Sequence, residues 1–310
     1  MQILDTLLPL YFLISLGFWF KKSQFLSQTF WDDVEKLVYF ILIPALIFAH
    51  LSRADINANL IGYILLAVAL PTFIIGASQW LGFLDKRVQP DTFTSMFQGA
   101  VRNNTIIGLA IAGLVAPDNG VAIMALIMTI MVIINNISCV SVLSKYGDAS
   151  KRAKSMQGKS VLRNVATNPL IQASIAGLAV NFLSITLPDA IHNTFHFLGK
   201  TGLPLALLAV GAGLSLRMEK GKTTALVLPV MAKLVLMPII IYAVIYLMNG
   251  AIPNASIFIL YGALPTAMSS YVLASQMGGD KQTMAQIITL QTLGAAFTLP
   301  VALWFIQQYM

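Results

Sequence analysis

Long apolar runs separated by short polar segments dominate this chain from end to end. Ten stretches reach the roughly 20 residues that a helix needs to cross a bilayer. They are residues 3–20, 34–52, 60–84, 92–115 and 119–144, then 165–187, 193–216, 224–248, 254–277 and 283–307. Most are runs of Leu, Ile, Val and Ala without a period of two, which predicts helices rather than barrel strands. The stretch 34–52 is the least regular: it opens on Glu35 and Lys36 and turns apolar only at Leu37. The only polar segment of any length, 145–163, is rich in Lys, Ser and Gly. It separates residues 1–144 from residues 164–310. Five spans on each side is an odd number, so the two halves enter the membrane in opposite orientations. The expected fold class is an all-α polytopic membrane protein built from two inverted five-helix repeats.

Composition narrows the class. Of the 310 residues, 57% are hydrophobic and 10% charged, against about 45–50% and about 25% in ordinary soluble domains. Mean hydropathy is +0.80. So few polar groups cannot cover the surface of a soluble protein, which excludes a soluble enzyme and a disordered chain. The lone Cys139 allows no intrachain disulfide.

The net charge of +7 is explained by topology rather than by nucleic acid. With ten spans and an outward N-terminus, 15 of the 19 Lys and Arg fall at cytoplasmic loops, six of them in the central linker. Arg53 and Lys200 are left outside, and Arg102 and Lys233 lie within spans. Asp5 precedes most of the first apolar stretch and Lys21-Lys22 follow it, the reverse of a cleavable signal peptide. The expected location is the plasma (inner) membrane, multi-pass, with both termini outside and the linker in the cytoplasm.

The halves echo each other. Phe97-Gln98-Gly99-Ala100 parallels Leu260-Tyr261-Gly262-Ala263, and each precedes a polar patch that interrupts a span. The patches are Arg102-Asn103-Asn104-Thr105 and Pro265-Thr266-Ala267-Met268-Ser269-Ser270. Ile43-Pro44-Ala45-Leu46 pairs in the same way with Leu203-Pro204-Leu205-Ala206. Inverted repeats with interrupted helices in matching positions are typical of secondary transporters. Backbone groups freed at midplane persist only when buried in protein or lining a cavity, and half-helix N-termini attract anions.

Several motifs together carry a family resemblance. They are Arg102-Asn103-Asn104-Thr105-Ile106-Ile107-Gly108-Leu109, Asn168-Pro169-Leu170-Ile171 and Pro204-Leu205-Ala206-Leu207-Leu208-Ala209-Val210-Gly211. To these add Ala263-Leu264-Pro265, Tyr271-Val272-Leu273-Ala274 and Gly278-Gly279-Asp280. With these, the whole chain resembles the auxin efflux carrier family, which includes bacterial malate and malonate permease-like proteins and the plant PIN carriers. Ala110 stands where relatives often carry proline. The resemblance implies ten helices, with spans 1, 2, 6 and 7 as scaffold and spans 3–5 and 8–10 as a transport unit. It also implies a crossover of spans 4 and 9, a homodimer, and an organic anion as cargo.

Arg102 lies about ten residues into its span, or about 15 Å, near midplane. A charge there is a functional candidate, either in anion binding or in holding carbonyls freed at the break. Asn103, Asn104 and Thr105 can cap the following half-helix or contact cargo. Lys233, also mid-span, is either a fixed charge replacing a coupling cation or a structural contact. Pro265 breaks its helix, and Thr266 joins the candidate substrate site beside it. Asn135, Asn136 and Gln291 suit interhelical hydrogen bonds, with Asn136 and Gln291 as supports behind the site. His192 and His196 have zinc-like spacing, but no Glu follows His192 and the pair sits at a membrane edge, so no metal and no cofactor is expected.

The expected activity is secondary transport of small organic anions, mono- or dicarboxylates such as malate, malonate or auxin-like acids. Its partners are the anion, the lipid bilayer and a second copy of the chain. An anion channel or membrane receptor of the same fold is the alternative. An intramembrane enzyme is disfavoured, because no Asp or Glu lies mid-span to support a catalytic pair.

Overall fold

The computed structural model describes residues 2–54, 59–148, 166–214, 222–248, 252 and 254–309. Most of the basic linker, with Lys151, Arg152, Lys154, Lys159 and Arg163, lies outside the described residues, as do Arg217 and Lys220. Among the described residues the chain is helical, with no strand. In chain order the helical runs are α1 (Gln2–Lys22), α2 (Gln28–Leu51), α3 (Leu60–Leu84), α4 (Pro90–Val101), α5 (Thr105–Val115) and α6 (Gly120–Tyr146). They continue with α7 (Pro169–Phe182), α8 (Asp189–Ala212), α9 (Thr223–Leu247), α10 (Ala255–Ala263), α11 (Ser269–Met277) and α12 (Lys281–Tyr309). Among the described residues, six of these runs are long and apolar enough to cross a membrane: α2, α3, α6, α8, α9 and α12. The stretches 92–115 and 254–277 are each two helices with a break between them.

The helices fall into two compact units. The first comprises Met1–Ala58, Thr105–Thr129 and Val165–Leu214. Glycines let its helices approach backbone to backbone: Gly17 and Gly211 seat α1 and α8 on each other, at Leu208 and Ile14. Gly199 and Gly202 seat α8 on Leu46 and Leu42 of α2, and Gly177 seats α7 on Phe48 and Leu51. Small residues are the usual means of close helix contact in membranes. Polar clamps add to this packing. The Thr129 and Ser174 hydroxyls lie 2.6 Å apart, and Arg53 donates to Asp189 at 2.8 Å.

The second unit comprises Asn59–Asn104, Ile130–Asn164 and Ser215–Met310. Its centre is α4, buried at every residue from Thr92 to Val101. Phe93, Met96, Phe97 and Val101 pack with Cys139 and Val142 of α6 and Ala225 of α9. At one end, Asp280 ties three helices. It accepts from Lys222 at 2.8 Å, Thr92 at 3.0 Å and Thr283 Oγ1, while Ser95 donates to its carbonyl at 2.8 Å.

Three runs share a local irregularity. In α2, α3 and α9 a π turn closes with an amide that reaches back five residues: Ile43 to Val38, Leu70 to Leu65, and Met237 to Ala232. Proline follows each time, at Pro44, Pro71 and Pro238. The proline has no N–H and its ring crowds the preceding turn. Widening that turn relieves the clash while the residue before proline keeps a hydrogen bond.

Candidate functional site

The candidate site forms where α4 and α10 end, within the second unit. After Val101, Arg102 turns to extended backbone, with φ −82° and ψ 150°. Two asparagines follow, a residue type that prefers turns and caps to helix interiors. At the second break Leu264 is extended, with φ −69° and ψ 142°, the conformation favoured before proline.

Three of the carbonyls freed by these breaks are met by side chains. Gly99 O accepts from Thr266 Oγ1 at 2.6 Å and from Gln291 Nε2 at 2.9 Å. Val101 O accepts from Asn135 Nδ2 at 3.0 Å, and Tyr261 O accepts from Asn103 Nδ2 at 2.7 Å. Gln291 also accepts the Thr266 N–H at 2.9 Å and donates to Pro229 O at 3.2 Å. The Asn104 N–H donates to Pro265 O at 2.8 Å, so the two breaks are joined backbone to backbone.

The two intramembrane cations behave differently. Lys233 is fully buried in the π turn of α9, and its Nζ donates to Asn103 Oδ1 at 2.8 Å. Arg102 is partly exposed. Its Nη1 donates to Asn136 Oδ1 at 2.9 Å and its Nη2 to Ser269 Oγ at 3.0 Å. Among the described residues no carboxylate pairs with either cation. An accessible guanidinium held by neutral partners keeps its full charge for an incoming anion.

Arg102, Asn103, Asn104, Lys233, Pro265, Thr266, Asn136 and Gln291 thus share one assembly around the two breaks. Thr105 opens α5 and belongs to the first unit. The His pair lies in the first unit as well. The His192 and His196 rings are 6.3 Å apart, and His192 Nε2 lies 3.1 Å from Ala49 O, bonding backbone. Among the described residues no group of three His, Cys, Asp or Glu could hold a metal ion.

Comparison with known proteins decides the family. The family model described as "Membrane transport protein" matches residues 2–303. The chain belongs to this family, the auxin efflux carriers. Among relatives of this transporter, a Rhizobium meliloti (strain 1021) protein named "Putative malonate transporter" is 26% identical, covering 99% of this chain and 96% of its own. "Uncharacterized transporter YfdV" of Escherichia coli (strain K12) is 24% identical over 96% of each chain. An "Uncharacterized transporter" of Methanothermobacter thermautotrophicus is 21% identical over 96% of each chain.

Two parts of this candidate site escape a reading of the transporter's sequence. Ser269 lies inside the polar patch that marks the second break, but nothing in the pattern separates it from Ser270 beside it. Tyr261 contributes a backbone carbonyl, which has no residue signature at all.

Proposed function

We propose that this transporter is a secondary carrier of small organic anions, mono- or dicarboxylates, working by alternating access around the two helix breaks. In this reading ten spans form two inverted repeats and α4–α5 crosses α10–α11 near midplane. Spans 1, 2, 6 and 7 form the scaffold of a homodimer, and spans 3–5 and 8–10 carry the cargo through the inner membrane. One observation carries the reading: Arg102, charged and accessible at the break, is hydrogen-bonded among the described residues to neutral groups. A carboxylate that loses its water there regains charge-assisted hydrogen bonds. The name of the Rhizobium meliloti relative agrees with a dicarboxylate cargo. Lys233 supplies a tethered positive charge behind Asn103, in place of a coupling cation. No carboxylate lies at mid-span to carry a proton, which favours a uniport driven by the anion gradient and membrane potential, or coupling to a cation through backbone oxygens.

The test is uptake of radiolabelled malonate, malate and acetate into proteoliposomes, with binding measured calorimetrically in detergent. Uptake should saturate with concentration, as a carrier requires and a channel does not. Arg102→Ala should weaken binding by roughly tenfold to a hundredfold, the loss of one charge-assisted contact. Arg102→Lys should recover only part of it, since an ammonium lacks the planar fork. Unchanged affinity and flux in a well-folded Arg102→Ala variant would place the site elsewhere.

A further inference from the structure

The hydrogen bonds around Arg102 determine the polarity of everything beside it. A guanidinium has N–H donors and no acceptor. Each partner must therefore offer it an oxygen and turn its own hydrogens elsewhere. Asn136 gives Oδ1 to Nη1 at 2.9 Å, which fixes the amide orientation and leaves Nδ2 with two N–H donors to direct away from the arginine. Ser269 gives Oγ to Nη2 at 3.0 Å, which leaves its hydroxyl hydrogen free to donate. Ser269 is exposed and Asn136 partly so, and neither remaining donor is used within the described residues. Ser269 is also the first residue of α11, whose positive end favours an anion.

We propose that Ser269 and Asn136 are cargo ligands. With Arg102 they form a rim of donors that binds one carboxylate group through several N–H and O–H bonds at once. This assignment rests on the organic-anion reading and deepens it. The rim offers the guanidinium charge with N–H and O–H donors, which an ionised carboxylate accepts more strongly than its amide or ester, so the site selects the ionised form. Because a cargo carboxylate needs no rearrangement of the Arg102 contacts, binding leaves the two breaks in place.

The experiment measures malonate affinity and proteoliposome uptake for the full chain and four variants: Arg102→Ala, Ser269→Ala, Ser269→Thr and Asn136→Asp. Size exclusion checks folding. Ser269→Ala should weaken malonate by about tenfold, the loss of one hydrogen bond to a charged group. Ser269→Thr keeps the hydroxyl and should stay within about threefold of the parent protein. Asn136→Asp still offers Arg102 an oxygen, but puts an acceptor where the donor stood, and should remove measurable binding. Because Asn136→Asp also pairs with the Arg102 charge, the Ser269 variants, which leave that charge unpaired, decide whether the donors bind cargo or only position the arginine.

The proposal is overturned if Ser269→Ala binds malonate as the parent does while Arg102→Ala does not. If Arg102→Ala also binds unchanged, the carboxylate reading of this site fails first. Ser269 is exposed, so its variants should fold and decide the matter even if Asn136→Asp does not. A parent protein that binds malonate a hundredfold better than malonamide supports the donor rim. Equal binding of the two counts against it.

Discussion

Asn103 stands between the two intramembrane cations and takes the contact of the buried one. Its Oδ1 accepts from Lys233, and its Nδ2 donates to Tyr261 O. Both charges were visible in the sequence, because a Lys or Arg deep in an apolar span has few bland explanations. Their division of labour was not visible. It depends on the π turn that carries Lys233 inward and on the extended backbone that turns Arg102 toward Asn136 and Ser269. A prediction follows from the burial of Lys233. Asn103→Leu should destabilise the protein sharply, leaving the buried Lys233 ammonium without its partner and the Tyr261 carbonyl with only the Leu264 N–H at 3.4 Å. Adding Lys233→Met should recover part of the loss, because the ammonium then needs no partner. Thermal unfolding of both variants in detergent checks this, and a double variant less stable than Asn103→Leu alone would refute the pairing. Lys233→Met by itself should reduce uptake more than affinity, by about tenfold against less than threefold. That is the pattern of a charge needed for turnover rather than for holding cargo.

At the scale of helices, glycine and proline placement explains most of what the hydrophobic pattern left open. The pattern located the runs but not how they touch. Gly211 is one of many small residues in α8, yet a Cβ there meets the Ile14 carbonyl and lies 2.9 Å from the Phe18 N–H, both rigid backbone. Gly62, in α3, has nothing within 4 Å of the same position. Gly211→Ala should therefore lower the melting temperature by several degrees, as overpacking costs on the order of 1–3 kcal/mol. Gly62→Ala should leave it unchanged or raise it slightly, because alanine is the better helix former. Equal effects at the two sites would discount the close packing of α1 on α8. Pro71 and Pro238 hold matching places in the two halves, each just after a π turn. This echo is stronger in backbone geometry than in sequence, where α9 also carries Pro229 and a proline within an apolar span is unremarkable.

The Asp280 cluster makes a second prediction about helices. Burial raises the Asp280 pKa, but the hydrogen bonds from Lys222 and Thr283, with the Lys222 charge, outweigh it and hold the carboxyl at about 2. The ordinary value is about 3.9, so the ionised form is favoured in the folded protein. The resulting stability, about 2 kcal/mol, is present above about pH 4 and disappears as pH falls from about 4 to about 2. Asp280→Asn should be less stable than the parent at pH 7, and the gap should close toward pH 3. A gap that stays constant with pH would mean that shape, not charge, holds these helices together.

For the whole molecule, membership of the transporter family follows from the full length of the chain, not from any single motif. Composition and apolar spacing already excluded a soluble enzyme. They could not say which side the cargo leaves from, because that depends on orientation and on which conformations exchange. Orientation is the part on which the charge pattern makes a prediction. Moving a Lys or Arg to the outer face works against the membrane potential and the positive-inside bias, and 15 of the 19 such residues fall on one side when ten spans are counted. A reporter fused near Lys154 should therefore be active in the cytoplasm, and one fused after Met310 outside it. Reversing the bias should weaken the preference: Lys21→Glu with Lys22→Glu removes the cations flanking the first span and should yield a mixed population of orientations. A periplasmic signal from the Lys154 fusion in the parent chain would overturn this topology, since it requires either an inward N-terminus or an even number of spans before the linker.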